Sequence, residues 1–228
     1  AYNLIDGVDG LAAGLAIISS IFFAVYFIVN DQLAFACLAT ALVGSLMAFL
    51  IFNAQPARIF MGDTGSMMLG LLHAMMVIQF ISTASAAPVF AVPAAPAIGF
   101  ALLFVPLFDT LRVFSYRMLK GTSPFTPDRN HIHHILLRFR LSHTMVAGIL
   151  GSVGLLLPFA AWYLSYLGTN WLLLGMVGAG FLVVGGLVWR YRAISRRSVI
   201  QGGVTPIETS LPAVRSITAV GRRAAGQK

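Results

Sequence analysis

Six apolar runs constrain this chain more than any other feature of its sequence. A helix needs about 20 apolar residues to cross the roughly 30 Å hydrocarbon core of a bilayer. The runs are Leu11–Val29, Leu33–Phe52, Gly65–Ser82, Ala87–Phe108, Met145–Leu167 and Trp171–Trp189. Charged residues make up only 10% of the chain, against about 25% in a soluble domain. The sequence therefore predicts an all-α fold, a polytopic transmembrane bundle of about six helices.

The fourth run is the least regular of the six, because Pro88, Pro93 and Pro96 interrupt its first half. A buried helix bundle inside a large soluble protein is the alternative interpretation of all six runs. The chain begins at Ala1 within a polar motif and without a signal-peptide pattern, so we expect a further segment upstream.

The positive charges predict how the bundle is oriented. All 15 Lys and Arg residues fall in the polar segments 1–10, 53–64, 109–144 and 190–228, which six crossings would place on one side. Because positively charged loops stay in the cytoplasm, we expect these polar segments to be cytoplasmic. The net charge of +8 then follows from topology, and nucleic-acid binding is disfavoured because no basic helix is present. We expect a membrane-embedded domain over 1–190 and a basic, disordered cytoplasmic tail over 191–228.

The first polar motif contains Asn3, Asp6, Gly7, Asp9 and Gly10. Two carboxylates three residues apart share a face if the segment is helical, and the glycines allow a ligand to approach the backbone. The alternative is that Asp6 or Asp9 caps the helix that begins near Leu11. Two Asp-Gly pairs and an Asn are more than one cap requires, which favours a binding site.

The second polar motif runs from Asn53 to Ser66 and includes Phe60. Gly62 and Gly65 flank Asp63, which predicts a turn that points its carboxylate towards a hard cation. The helix expected near Ser66 offers its N-terminal N–H groups to a phosphate. The alternative is that Asp63 or Ser66 is an ordinary helix cap.

The third polar motif, 123–134, contains three of the five histidines: His131, His133 and His134. After a turn at Pro127, Asp128 is placed to cap a helix on which His131 and His134 share a face while His133 points elsewhere. Zinc is one interpretation, although no Cys lies nearby; hydrogen bonding to a diphosphate is the other.

Three further polar residues receive structural interpretations. Asp109 and Arg112 have the i, i+3 spacing of a local ion pair. His73 lies in the middle of a run, where we expect it to bond a neighbouring helix, although a transporter would also place an ionisable group there.

These motifs suit phosphoryl transfer. A phosphate that attacks a diphosphate brings two anions together, so the protein must supply charge neutralisation and hydrogen-bond donors. Carboxylates hold Mg²⁺, and histidines with Arg129 contact phosphates. A phosphate monoester is already largely ionised at pH 7, so it needs positioning more than a strong base.

The strings Asn3–Gly14, Asn53–Gly70 and Ser123–Leu136 resemble signatures of the polyprenyl-phosphate N-acetylhexosamine-1-phosphate transferases. The pattern His131-Ile132-His133-His134 resembles the undecaprenyl-phosphate N-acetylglucosamine-1-phosphate transferases within that family. The resemblance implies Mg²⁺ or Mn²⁺ as cofactor, UDP-N-acetylglucosamine and undecaprenyl phosphate as substrates, and release of UMP. It implies an enzyme of the bacterial inner membrane that starts the synthesis of lipid-linked envelope glycans such as lipopolysaccharide, and it allows a homodimer.

The resemblance also implies roles for individual residues. Asp63 corresponds to the Mg²⁺ ligand. Asn3, Asp6 and Asp9 correspond to a polar cluster on the nucleotide side, with Gly7 and Asp9 near uracil, and Asp6 and Asp9 count with Asp63 as catalytic. Asn53 and Phe60 correspond to the uridine pocket. The catalytic histidines His131, His133 and His134 correspond to the loop that meets the diphosphate, with Arg129 binding substrate.

Two functional alternatives remain at this stage. A sister transferase would use another UDP-N-acetylhexosamine or UDP-N-acetylmuramoyl-pentapeptide. A membrane scaffold without catalytic activity would carry the same helices.

Overall fold

The computed structural model describes residues 1–87, 89–121, 123 and 131–200, with side chains described up to residue 194. These ranges are built from α-helices and connecting loops, and they contain no strand. The helices are α1 Tyr2–Ile5, α2 Leu11–Val29, α3 Leu33–Asn53, α4 Gly62–Thr83, α5 Ala95–Leu102, α6 Phe104–Leu119, α7 Ile132–Leu137, α8 His143–Tyr163 and α9 Thr169–Ile200.

Five of the described helices, α2, α3, α4, α8 and α9, are long and apolar enough to cross a membrane. Their exposed surfaces carry large apolar side chains, such as Ile51 at 76% exposure and Leu182 at 79%. Exposed apolar faces of this extent suit lipid better than water. The predicted polytopic helical bundle is confirmed.

The fourth predicted run, Ala87–Phe108, is not a single helix. Helix α5 begins only at Ala95, and after Leu102 the chain turns by 84° into α6. Pro106 explains the break: it lacks the N–H that would bond to the carbonyl of Leu102, and its ring would clash with that carbonyl. The bent pair counts as a sixth span or as a re-entrant segment.

Helix α2 lies at the centre of the bundle, where it packs against α1, α3, α4 and α8. Small residues such as Ala13 and Ala16 are fully buried along it and allow close helix approach. Phe23 and Phe27 are also fully buried and stack with a centroid distance of 6.1 Å. This packing fixes the two ends of α2 relative to the neighbouring helices.

The loops that follow α2 and α4 meet at one end of the bundle. Gln32 donates to Thr83 Oγ1 at 3.0 Å, and Gln79 donates to Gln32 at 2.8 Å. Asn30 Oδ1 accepts from the backbone of Phe90 at 3.3 Å. The first and second polar motifs lie at the opposite ends of α2 and α4.

Two compact units divide the chain, residues 1–188 and 189–228. Of the second unit, the described part is the end of α9, which continues to Ile200. The predicted domain boundary at residue 190 therefore falls within a helix, and most of the predicted tail lies outside the described residues.

Candidate functional site

The first motif forms a short helix and a loop, with α2 beginning directly after it. Gly10 adopts the left-handed conformation (φ 75°) before Leu11, and no side chain caps α2. The capping alternative for Asp6 and Asp9 was therefore wrong, and both carboxylates are available for other contacts. The Gly10 N–H donates instead to Asn53 Oδ1 at 3.1 Å, and Asn53 Nδ2 donates to the Ile59 carbonyl at 2.9 Å. The buried Asn53 amide thus joins the first motif to the second.

Asp6 and Asp63 come from different motifs and lie close enough for their charges to interact. Asp63 is exposed in the first turn of α4, directly after Gly62 at φ 68°. Burial raises the pKa of the half-buried Asp6 carboxyl above its usual range, and the Asp63 carboxylate raises that pKa further. Two carboxylates placed together in this way repel each other unless a cation lies between them.

Helix α4 starts at Gly62, earlier than the start expected near Ser66, and neither Asp63 nor Ser66 caps it. The buried Ser66 hydroxyl instead donates to Asn3 Oδ1 at 3.2 Å and to the Asp63 carbonyl at 3.1 Å. Asn3 therefore holds α1 against the first turn of α4. This contact places the first motif beside Asp63.

Asp9 has a separate set of partners. Its Oδ2 accepts from the Ala57 N–H at 3.3 Å, and its Oδ1 lies 3.7 Å from His143 Nδ1 at the start of α8. Gln55 strengthens the same junction by accepting from the Thr144 N–H at 3.0 Å. Asp9 thus connects the second motif to α8.

The three predicted histidines form one cluster of rings. His131 and His133 stack at 5.7 Å with an interplanar angle of 4°, and the centroid of His134 lies 4.3 Å from that of His133. The expectation that His133 points elsewhere was wrong, because α7 begins only at Ile132 and His131 precedes it in extended conformation (ψ 153°). The helical face relation between His131 and His134 therefore does not apply.

Gly7 and His133 bring the third motif against the first. A Cβ placed on Gly7 would lie 2.7 Å from His133 Nε2, so only glycine permits this contact. Burial lowers the pKa of His133 to about 4, with the positive charge of His134 as the next contribution. His133 is therefore uncharged at pH 7. Its buried Nδ1 makes no hydrogen bond within the described part of the chain.

Asp109 anchors the third motif. The predicted Asp109–Arg112 ion pair is confirmed, with 3.0 Å between Arg112 Nη2 and Asp109 Oδ1. The same carboxylate also accepts from His131 Nδ1 at 2.9 Å and from the Ile132 N–H at 3.0 Å. These two bonds were not predicted, because the only signal in the sequence was an acid at the end of an apolar run.

The other polar and aromatic residues that were given roles above lie in different surroundings. The Phe60 side chain, in the second motif, is 77% exposed. It has no aromatic partner among the described residues. Arg129 and Asp128 lie outside the described residues. His73 is fully buried in α4 and bonds α2 through its Nε2, at 3.2 Å from Ser20 Oγ and 3.3 Å from the Ala16 carbonyl. The expected helix–helix role of His73 is confirmed.

An apolar groove of about 270 Å³ lies between α3 and α4. Met61 and Gly65, two residues before and after Asp63, form one end of its lining. The rest of the lining is Leu42, Ser45, Leu46, Phe49, Met68, Leu69 and Leu72. The groove therefore leads from the apolar faces of two long helices to the Asp63 turn.

The carboxylates fit Mg²⁺ better than zinc. Within the described ranges, no group of three or more His, Cys, Asp or Glu side chains is arranged to hold a metal ion. Zinc sites usually need three or four such ligands, whereas Mg²⁺ is commonly held by one or two carboxylates with water and substrate phosphates. The Asp6–Asp63 pair supplies the smaller set.

The chain is similar in sequence to one protein family and to several known transferases. Residues 1–81 match the model of glycosyl transferase family 4. A probable undecaprenyl-phosphate N-acetylglucosaminyl 1-phosphate transferase of Bacillus subtilis is 35% identical over 78% of this chain and 48% of its own length. An undecaprenyl-phosphate alpha-N-acetylglucosaminyl 1-phosphate transferase of Escherichia coli O157:H7 is 26% identical, over 86% of this chain and 53% of its own.

A decaprenyl-phosphate N-acetylglucosaminephosphotransferase of Mycobacterium leprae is 37% identical over 64% of this chain and 40% of its own length. This chain thus spans about half the length of the curated relatives it matches. With bacterial relatives and several apolar helices, it is a multi-pass membrane protein.

Proposed function

Since the chain belongs to glycosyl transferase family 4, we propose that its protein transfers N-acetylglucosamine-1-phosphate from UDP-N-acetylglucosamine to undecaprenyl phosphate. The relatives named as undecaprenyl-phosphate N-acetylglucosaminyl 1-phosphate transferases support this lipid acceptor and this transferred group. The observation that carries the proposal is the meeting of three distant motifs at one end of the bundle. They bring together the Asp6–Asp63 pair and three clustered histidines.

The reaction requires a phosphate oxygen of the lipid to attack the sugar-linked phosphorus of the nucleotide sugar. A new P–O bond forms, the bond to the uridine phosphate breaks, and UMP leaves. Because both reactants are anions, the barrier is largely electrostatic. Asp6 and Asp63 would hold Mg²⁺ or Mn²⁺, which when bound neutralises diphosphate charge. The histidines contribute hydrogen bonds to phosphate oxygens, and the exposed Phe60 ring offers a stacking surface to uracil.

The groove between α3 and α4 takes the prenyl chain nearest the lipid phosphate. Its lining is apolar apart from Ser45, and its Met61–Gly65 end adjoins Asp63. A prenyl chain lying there places its phosphate at the carboxylates. Burial of apolar surface stabilises such binding by about 25 cal/mol per Å².

Met68→Trp is expected to narrow this groove and raise the KM for the lipid acceptor about tenfold, because overpacking costs about 1–3 kcal/mol. The KM for the nucleotide sugar should stay unchanged. Leu71→Trp is the matched control: Met68 and Leu71 are each 62% exposed on α4, but only Met68 lines the groove. Equal effects of the two variants on lipid KM would contradict this placement.

We also propose that the site faces the cytoplasm of a bacterial inner membrane. The support is the one-sided placement of all 15 Lys and Arg residues. The three motifs also lie at the end of the bundle opposite the Asn30, Gln32 and Thr83 contacts.

Cysteines introduced at Gly121 and Thr169 are expected to label from opposite sides of intact cells. An impermeant thiol reagent added outside should modify only the variant at Thr169, on a background in which Cys37 is replaced by Ser. If the reagent modifies both variants from outside, the cytoplasmic assignment is incorrect.

The function is tested with the full-length protein, a panel of UDP-sugars and undecaprenyl phosphate. We expect UMP release that depends on the lipid and is fastest with UDP-N-acetylglucosamine. Preference for UDP-N-acetylmuramoyl-pentapeptide or another UDP-N-acetylhexosamine would identify a sister transferase. Absence of UMP release with every sugar would favour a non-catalytic scaffold.

A further inference from the structure

Asp109 is a buried carboxylate that holds the start of the histidine cluster. It is 1% exposed, and its two oxygens meet three donors. Oδ2 accepts from His131 Nδ1, whereas Oδ1 accepts from the Ile132 N–H and from Arg112 Nη2. Of these three donor atoms, His131 Nδ1 is the one that can either carry a hydrogen or lack it.

The bond between Asp109 and His131 determines where the His131 ring carries its proton. An ionised carboxylate only accepts hydrogen bonds, so Nδ1 must carry the hydrogen that lies between the two groups. A neutral imidazole has a single N–H, and its Nε2 then presents a lone pair. Nε2 carries a hydrogen only when the whole ring is protonated.

We propose that Asp109 is a positioning residue that keeps the His131 proton on Nδ1, so that His131 serves the substrate diphosphate as an imidazolium with Nε2–H as donor. This inference rests on the proposed function. A phosphate oxygen is repelled by the lone pair of a neutral Nε2 and attracted by an imidazolium N–H. The same arrangement of a carboxylate behind a histidine fixes the ring in other catalytic sites.

The surroundings of His131 differ from those of His133. Among the residues that the structure describes, the charged and titratable groups near it are Asp109, Arg112, His133 and His134. His131 bonds the Asp109 carboxylate. His133, by contrast, has a pKa lowered to about 4 and packs on Gly7. The cluster thus combines a carboxylate-bonded ring with a neutral one.

Asp109→Asn separates this role from a purely structural one. The Asn oxygen can still accept from the Ile132 N–H, so the start of α7 stays anchored. Its NH₂ group then faces His131 Nδ1, and that nitrogen can bond only by offering a lone pair. The substitution therefore moves the proton of the neutral ring from Nδ1 to Nε2 with little change in shape.

The proton position is measured by ¹⁵N NMR of the full-length protein, labelled at histidine and reconstituted in nanodiscs. The His131 signals are assigned from their loss in His131→Gln. We expect a protonated Nδ1 in the wild type and an unprotonated Nδ1 in Asp109→Asn. Identical His131 signals in both proteins would overturn the proposal, and this measurement does not depend on transferase activity.

A double-mutant cycle tests whether Asp109 acts through His131. The neutral ring of Asp109→Asn still donates from Nε2–H but without the positive charge that strengthens the bond. We therefore expect Asp109→Asn to lower kcat/KM about tenfold when His131 is present, and less than about twofold when His131 is already Gln. Thr110→Val, which removes a hydroxyl bonded to the Pro106 carbonyl within α6, is the control and should keep wild-type activity. An equal loss in both backgrounds would overturn the proposal in favour of a structural role. If the wild type makes no lipid product, the proposed function fails and the NMR result alone decides the role of Asp109.

Discussion

Replacing Asp63 by Asn in the full-length protein is expected to lower kcat by about a hundred- to a thousandfold, the scale on which enzymes lose rate when one electrostatic contact to the transition state is removed. Asn keeps the size of the side chain but removes one of the two negative charges that meet at this point. The Asp6 carboxylate then faces the diphosphate with weaker cation binding. The remaining activity should require a higher Mg²⁺ concentration.

The measurement is kcat as a function of Mg²⁺ concentration for the wild type, Asp63→Asn and Asp6→Asn. Asp31→Asn is the matched control, because this residue lies between α2 and α3 at the other end of the bundle. Asp31 has a positive φ of 57°, which Asn tolerates. Wild-type rates and an unchanged Mg²⁺ dependence in Asp63→Asn would show that Asp63 is not a Mg²⁺ ligand. Its carboxylate would then only stabilise the first turn of α4.

Gly7→Ala is expected to lower kcat/KM about a hundredfold, which is what a displacement near 1 Å costs in a preorganised site. The new Cβ would lie 2.7 Å from His133 Nε2, so the ring or the loop must move. His133 is fully buried and in ring contact with both other histidines. A shift of His133 therefore disturbs the whole cluster.

Gly148→Ala is the control for this variant, because a Cβ added to Gly148 meets nothing within 4 Å. Both variants should fold, and thermal midpoints in detergent will verify this. Retention of full activity by Gly7→Ala with a normal thermal midpoint would show that the contact between the first and third motifs is not needed for turnover.

Hydropathy alone was sufficient to predict most of the membrane helices. Helix α2 has the predicted bounds Leu11–Val29, and α3 extends one residue beyond the predicted Phe52. A lipid-spanning helix must satisfy its backbone polar groups internally, which makes long apolar runs helical. The bend at Leu103 could not be predicted from the three earlier prolines, because Pro106 causes the break.

The composition of the site was easier to predict than its internal contacts. Asp6, Asp63 and the histidines stood out because a chain with so few polar groups concentrates them in three motifs. The orientation of His133 depends on its contact with Gly7, and the role of Asp109 depends on a bond to a residue 22 positions away. Such contacts arise from helix packing, which local periodicity does not encode.

The mass and phosphate content of the lipid product test the central claim most directly. The full-length protein is incubated with undecaprenyl phosphate and UDP-N-acetylglucosamine that carries ³²P in the sugar-linked phosphate. Sugar-1-phosphate transfer predicts a labelled lipid with two phosphates per N-acetylglucosamine and unlabelled UMP as the released nucleotide. An unlabelled lipid with a single phosphate and released UDP would instead show transfer of the sugar alone, and would contradict the mechanism proposed for Asp6, Asp63 and the histidine cluster.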